Sequence, residues 1–174
     1  MTNFNNPYFS SNMANFWSRW HISLSTWFKD YLYIPLGGNR VSVLRNYLNI
    51  FVTFLVSGIW HGANFTFVIW GGLHGLYLMV EKYLGIHKSK TRSKLSIGNI
   101  IMVVVTFILV DFAWIFFRAN SVQEAILIVS KIFTDANSPL FIKWDVFFAA
   151  GIALSILFTK EFIEEFFPTK FSLL

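Results

Sequence analysis

The chain contains no cysteine among its 174 residues, and it is poor in charged side chains. The missing thiols exclude a cysteine nucleophile, a disulfide framework and a cysteine-ligated metal. Charged residues make up only 13% of the sequence, whereas average soluble domains carry about 25%. A soluble domain of this size could not bury the remaining large apolar side chains, so the composition predicts an integral membrane protein.

What the sequence has in abundance is apolar and aromatic residues, which make up 55% and 20% of the chain. Aromatic side chains at the ends of apolar segments suit the bilayer interface. We therefore predict an all-α polytopic membrane protein. It should have about four membrane-embedded helices and further amphipathic helices at the interface, with residues 1–174 forming a single membrane-embedded region.

Hydrophobic periodicity locates these helices. An aromatic residue or a leucine recurs every three or four positions from Trp17 to Tyr31, which predicts an amphipathic interfacial helix over 12–36. Two apolar runs joined by a glycine-containing link predict a helical hairpin over 46–84. Further spans are expected over 96–118 and 144–164, and the residues from Ser121 to Glu124 predict a capping box that starts a shorter helix.

The basic residues predict the orientation of the hairpin. Arg40 and Arg45 precede it, and a basic loop over 88–94 follows it. Because short cytoplasmic loops are rich in Lys and Arg, the arginines before the hairpin and the basic loop after it both belong on the cytoplasmic side. His61 then lies about 24 Å from Arg45, deep in the membrane or near its outer face.

Histidines are the candidate functional groups. An ionisable residue at membrane depth is a functional-site hypothesis by default, and His61 is such a residue; the alternative is a hydrogen-bonded histidine at a helix end. His21 has an equally aromatic setting and is either functional or a packing residue. His74 lies within a Gly-x-x-x-Gly spacing, which lets another helix approach closely, and we interpret it as a helix-contact residue. His87 lies in the basic loop and is expected to be solvated.

Several sequence blocks resemble the membrane-bound O-acyltransferase family, in the branch that contains the bacterial alginate O-acetyltransferases. Their order and spacing match over about residues 3–125. The blocks are FWSRWHISLS at 16–25, WFKDYLYIPLGGNR at 27–40, GIWHGAN at 58–64, GLHG at 72–75 and, more weakly, FRANS at 117–121. Members of this family run to several hundred residues, so the chain resembles the C-terminal part of such an enzyme.

The resemblance implies transfer of an acyl group, most simply acetyl, from a thioester to a hydroxyl of a cell-envelope or extracellular polysaccharide such as alginate. His61 matches the family's catalytic histidine and is the expected general base. His21 matches the second prominent histidine, which could orient the donor, stabilise the oxyanion or shape a tunnel. The candidate substrate- and donor-binding residues are Arg19, Trp20, Asp30 and Asn64.

Each binding residue has a structural alternative. Arg19, together with Lys29 and Arg40, could attract the phosphates of a donor, or supply ordinary cytoplasmic loop charge. Trp20 could be a wall or anchor residue. Asp30 could pair with a neighbouring cation. Asn64 could donate a hydrogen bond near His61 or be an ordinary turn residue.

No permanently bound cofactor or metal is expected, because the histidines show no i, i+4 ligand pair. The co-substrate implied is acetyl-coenzyme A or a carrier-bound acyl thioester. The implied partners are the lipid bilayer, the polysaccharide acceptor, and an external acetyltransferase or acyl carrier protein. The implied location is the bacterial cytoplasmic membrane, with several spans. Nucleic-acid binding is not expected, since the basic residues flank membrane segments.

Two other interpretations remain open at this point. Intramembrane polar groups and the glycine-bearing 58–64 segment also fit a transporter or channel element, although no pair of similar halves is visible. A non-catalytic fragment that needs a partner chain is the third interpretation.

Overall fold

The computed structural model describes residues 2–86, 96–134 and 144–167, and no strand occurs among them. The predicted all-α class is thereby confirmed. The basic loop over 88–94 and His87 lie outside the described residues. Three helices in the described ranges are long and apolar enough to cross a membrane: Val43–His61, Ile97–Arg118 and Trp144–Phe166.

The N-terminal part is broken into short helices rather than the continuous helix predicted over 12–36. After a 3₁₀ helix at Pro7–Phe9 come α1 (Met13–Arg19), α2 (Ile22–Phe28) and a five-residue π-helix (Lys29–Tyr33). The break falls at His21, which has a left-handed backbone with φ 44°. No glycine or proline marks this position, and contacts from elsewhere in the chain impose the break.

The hairpin expected over 46–84 corresponds to α3 (Val43–His61) and α4 (Phe65–Tyr83). Their backbones touch where Gly58 meets Gly71, since a Cβ added at Gly71 would lie 3.2 Å from the Gly58 Cα. Close approach through Gly71 and Gly75 confirms the predicted role of the Gly-x-x-x-Gly spacing.

The remaining helices are α5 (Ile97–Arg118), α6 (Val122–Thr134) and α7 (Trp144–Phe166). The bounds of α5 and α7 are close to those of the spans expected over 96–118 and 144–164. Ser121 caps α6, because its Oγ accepts from the Glu124 backbone N–H at 3.1 Å. The Glu124 carboxylate reaches back to the N–H of Asn120 at 2.8 Å, one residue earlier than in a standard capping box.

The tightly packed core is small and lies where α1 meets α4 and α5. Met13, Phe16 and Val110 are fully buried there, with a surrounding layer of aromatic and leucine side chains. Glu81 fixes α1 to α4, because its carboxylate accepts from the backbone N–H groups of Met13 at 2.6 Å and Ala14 at 3.2 Å. Two orphan donors at the start of α1 are thereby satisfied from a distant helix.

Candidate active site

His61 is the last residue of α3, and four aromatic rings surround its half-buried imidazole. The ring centroids of Trp60, Trp70 and Phe117 lie 5.1, 5.2 and 5.0 Å away, all edge-to-face, and that of Phe67 lies 6.1 Å away. Within the described ranges no side chain or backbone group hydrogen-bonds the imidazole. The described residues therefore do not show the hydrogen-bonded helix-end histidine of the alternative interpretation.

The structure brings His21 close enough to His61 for the two rings to interact electrostatically. His21 occupies the turn between α1 and α2, and its Nδ1 is buried without a hydrogen-bond partner among the described residues. A left-handed conformation is uncommon for a residue other than glycine, and such residues cluster at functional sites. The two residues predicted to be catalytic are thus within electrostatic reach of each other.

A cavity of about 550 Å³ lies between the α2 region and the α3–α4 hairpin. On α3 its walls follow one helix face from Ile50 through Thr53 to Ser57, and His61 is one turn further on. Ile22, the neighbour of His21, lines the opposite wall, and Trp17 adds aromatic surface. The cavity therefore leads along α3 toward the histidine pair.

Two lysines, Lys29 and Lys82, line the cavity, and Lys82 lies at the part remote from His61. Lys82 donates to the Asn46 side chain, and its Nζ lies 5.9 Å from the Tyr47 ring centroid. Since Asn46 is in the first turns of α3 and His61 is its last residue, about 22 Å of helix separates the two ends. The cavity thus has a basic end and a histidine end.

Buried asparagines hold the glycine-containing turn of the second sequence block against α3. Asn46 donates to the Tyr33 hydroxyl and to the Gly38 carbonyl, each at 2.7 Å, and Asn49 donates to the Leu36 carbonyl at 3.0 Å. Sequence reasoning missed these asparagines and Lys82. Two asparagines within an apolar helix were the available signal, because polar groups at such positions need partners.

His74 is fully buried in an aromatic cluster on α4. Its Nδ1 accepts from the Trp17 indole N–H at 3.3 Å, and the Trp70 ring centroid lies 4.9 Å away. The expected helix-contact role agrees with this packing.

Arg19 forms an internal ion pair. Its guanidinium donates to both carboxylate oxygens of Glu165 in α7, at 2.8 and 3.1 Å, and to the Asn6 carbonyl at 3.3 Å. The side chains are only 11% and 5% exposed. The structure thus gives Arg19 a buried partner within the chain, which neither the donor-binding interpretation nor the loop-charge alternative included.

The other predicted binding residues have different surroundings. Trp20 packs against the small core, stacked on Phe16 at 5.7 Å between centroids. Asp30 is exposed in the π-helix, and neither ion pair found among the described residues includes it. Asn64 caps α4, accepting from the Thr66 N–H at 3.1 Å, and donates to the Asn120 carbonyl at 2.8 Å.

Asp111, within α5, lies close enough to Tyr8 in the 3₁₀ helix to act on it electrostatically. Burial raises the pKa of Tyr8, and the carboxylates of Glu161 and Asp111 raise it further. Tyr8 therefore stays protonated and can act as a hydrogen-bond donor between α5 and α7.

Breaking the Arg19–Glu165 pair should destabilise the fold. We expect Glu165→Gln to cost about 3–5 kcal/mol, because it leaves a buried guanidinium without its counter-charge. The measurement is thermal unfolding of the detergent-solubilised protein. The matched control is Glu164→Gln, whose partner Lys160 is 67% exposed and whose effect should be within about 0.5 kcal/mol. Equal melting temperatures for the two variants would show that the pair contributes nothing.

Residues 2–122 match the family model of MBOAT, the membrane-bound O-acyltransferase family. The chain is 50% identical over 125 residues to a protein of Pseudomonas aeruginosa named "Probable alginate O-acetylase", an alignment that covers 72% of this chain and 23% of that protein. It is 45% identical over 127 residues to the peptidoglycan O-acetyltransferase of Helicobacter pylori, an alignment that covers 73% of this chain and 24% of that protein.

A more distant relative is the teichoic acid D-alanyltransferase of Bacillus subtilis, 32% identical over 131 residues, with 68% of this chain and 32% of that protein covered. The chain thus spans about a quarter to a third of the length of these curated relatives. The family match includes both histidine motifs and all the helices that line the cavity. The chain belongs to the membrane-bound O-acyltransferase family and is an integral membrane protein.

Proposed function

We propose that this chain forms the catalytic part of an O-acyltransferase that moves an acetyl group from a thioester donor to hydroxyls of a cell-envelope or extracellular polysaccharide. The relatives named above act, by their names, on alginate, peptidoglycan and teichoic acid. The observation that carries the proposal is the imidazole of His61, free of hydrogen bonds from described residues and one helical turn beyond Ser57, which lines a cavity that also contains two lysines.

In this mechanism a neutral His61 takes the proton of the acceptor hydroxyl as the hydroxyl oxygen attacks the thioester carbonyl carbon. The tetrahedral oxyanion then collapses, the carbon–sulfur bond breaks, and the leaving thiolate receives the proton from the His61 imidazolium. General-base assistance of this kind contributes about 10²–10⁴ in rate. His21, within electrostatic reach of His61, orients the donor or donates to the oxyanion.

The basic end of the cavity supports a phosphate-bearing donor. Lys82 lies at this end and Lys29 also lines the cavity, and ammonium groups attract the phosphates of acetyl-coenzyme A or of a carrier-bound acyl group. The hairpin places Lys82 at the same end as Arg45, which the positive-inside rule assigns to the cytoplasm. The donor then enters from the cytoplasm, and the polysaccharide meets His61 toward the opposite side of the membrane.

Filling the cavity next to His61 tests this proposal. Ser57→Leu adds bulk to a buried cavity wall one helical turn before His61. We expect transfer to fall about 10²-fold, because displacing a bound reactant by about 1 Å has an effect of that size. The measurement is transfer of labelled acetyl from acetyl-coenzyme A to polysaccharide in membranes with equal amounts of each variant.

The matched control is Val56→Leu, at the neighbouring exposed position on α3, which should retain its rate. A full rate for Ser57→Leu would show that the donor does not use this cavity. Flux of a solute through vesicles without consumption of the acyl donor would instead favour a transporter.

A further inference from the structure

The start of α2 is capped from outside its own sequence. The residue at a helix N-cap normally accepts a hydrogen bond from one of the first backbone N–H groups through its side chain. His21 holds this position but makes no such bond. Asn3 caps the helix in its place, because its backbone carbonyl accepts from the Ile22 N–H at 3.0 Å and its side-chain Oδ1 accepts from the Ser23 N–H at 3.0 Å.

The N-terminal segment is attached on both sides of the break between α1 and α2. The backbone N–H of Asn5 donates to the carbonyl of Arg19, the last residue of α1, at 3.0 Å. The ring of Phe4 lies 4.9 Å from Trp20 and 6.2 Å from His21, measured between centroids. Residues 3–5 therefore run alongside the turn and contact it before, at and after His21.

These contacts explain how a histidine can keep a left-handed backbone at this point. Such a conformation in a residue other than glycine persists only where the surroundings over-determine it. Because Asn3 satisfies the first N–H groups of α2, the imidazole of His21 is not needed as a cap. Its Nδ1 has no partner among the described residues, and the ring lies within electrostatic reach of His61.

We propose that Asn3 is a positioning residue of the active site: by capping α2 in place of His21, it holds the left-handed turn that sets the position of the His21 imidazole. This inference rests on the proposed function for its catalytic consequence. The structural part, the effect of Asn3 on His21, is independent of that function.

A spectroscopic experiment tests the structural part. In protein with ¹³C-labelled histidine, the imidazole signals of His21, assigned with a His21→Gln sample, report its surroundings. We expect these signals to shift in Asn3→Ala, which removes the Oδ1 acceptor. They should return to their native chemical shifts in Asn3→Asp, which keeps an acceptor oxygen at this position. Asn5→Ala is the matched control, because Asn5 contributes only its backbone N–H to these contacts. Unchanged His21 signals in Asn3→Ala would overturn the proposal.

A transfer assay on the same variants tests the catalytic part. We expect Asn3→Ala to lower kcat about five- to tenfold, the factor that corresponds to loss of one helix cap, with KM for the donor within about twofold. Asn3→Asp should recover the rate, and Asn5→Ala should keep it. Equal loss in Asn3→Ala and Asn3→Asp, or a normal rate in both, would contradict the positioning role.

The two measurements distinguish failure of the proposed function from failure of the proposed role of Asn3. If native protein shows no transfer at all, the proposed function fails, while the His21 signals still decide the role of Asn3. If Asn3→Ala does not reach the membrane, Asn3→Gln replaces it, because that variant displaces the same amide by one methylene.

Discussion

Replacing His61 with alanine should abolish acyl transfer while the protein still inserts into the membrane. The proposed mechanism assigns the proton-transfer step to this imidazole alone, and losing a general base lowers the rate by about 10²–10⁴. Insertion should be unaffected, because alanine is the best helix former and His61 is only the last residue of α3. The measurement is acetyl transferred to polysaccharide per amount of protein in the membrane.

A second variant separates chemistry from packing. Four aromatic rings surround the imidazole, so alanine also removes contact surface. His61→Gln restores much of the volume and a hydrogen-bonding group, but an amide cannot take up a proton at neutral pH. Both variants should therefore lose transfer to the same extent. Normal acetylation by either would mean that His61 is not the base.

The second large effect is expected at Gly58, where a single added methyl group should disrupt the hairpin. A Cβ there would fall inside contact distance of the Phe67 carbonyl oxygen and 3.4 Å from the Cα of Gly71. These neighbours belong to the backbone of α4, so neither can turn aside as a flexible side chain would. Gly58→Ala should force the helices apart and cost at least the roughly 1–3 kcal/mol typical of overpacking.

The measurements are the yield of monodisperse protein in detergent and its unfolding temperature. Gly98→Ala is the matched control, because a Cβ at Gly98 meets nothing within 4 Å. It should be neutral or slightly stabilising, since alanine favours helix. A Gly58→Ala protein that unfolds at the native temperature would show that α3 and α4 are not in backbone contact. Transfer should also fall in Gly58→Ala, because Ser57 and His61 move with α3.

Much of the architecture could be predicted because its causes are local. Long apolar runs locate α3, α5 and α7, and the glycine spacing on α4 predicts a close helix contact. The histidines of the two motifs, His21 and His61, lie within electrostatic reach of each other.

The rest depends on contacts between distant parts of the chain, which periodicity cannot show. The helix break at His21 follows from hydrogen bonds with Asn3, a residue near the start of the chain that belongs to none of the sequence blocks. Arg19 has the charge pattern of a donor-binding residue, yet its partner Glu165 lies 146 positions away. In the sequence, Lys82 cannot be distinguished from any other basic residue at a helix end. Only the packing of the hairpin shows that it lines the cavity.

The distance along the chain between Arg19 and Glu165 has a consequence for biosynthesis. A ribosome makes the first histidine motif before α7, and the carboxylate that pairs with its arginine appears only when α7 is nearly complete. Until then the guanidinium lacks the partner that it has in the folded protein. Translation of α7 is therefore the step that completes the ion pair of the first motif. Truncation within α7 should leave a protein that retains both histidines but is a substrate for membrane quality control.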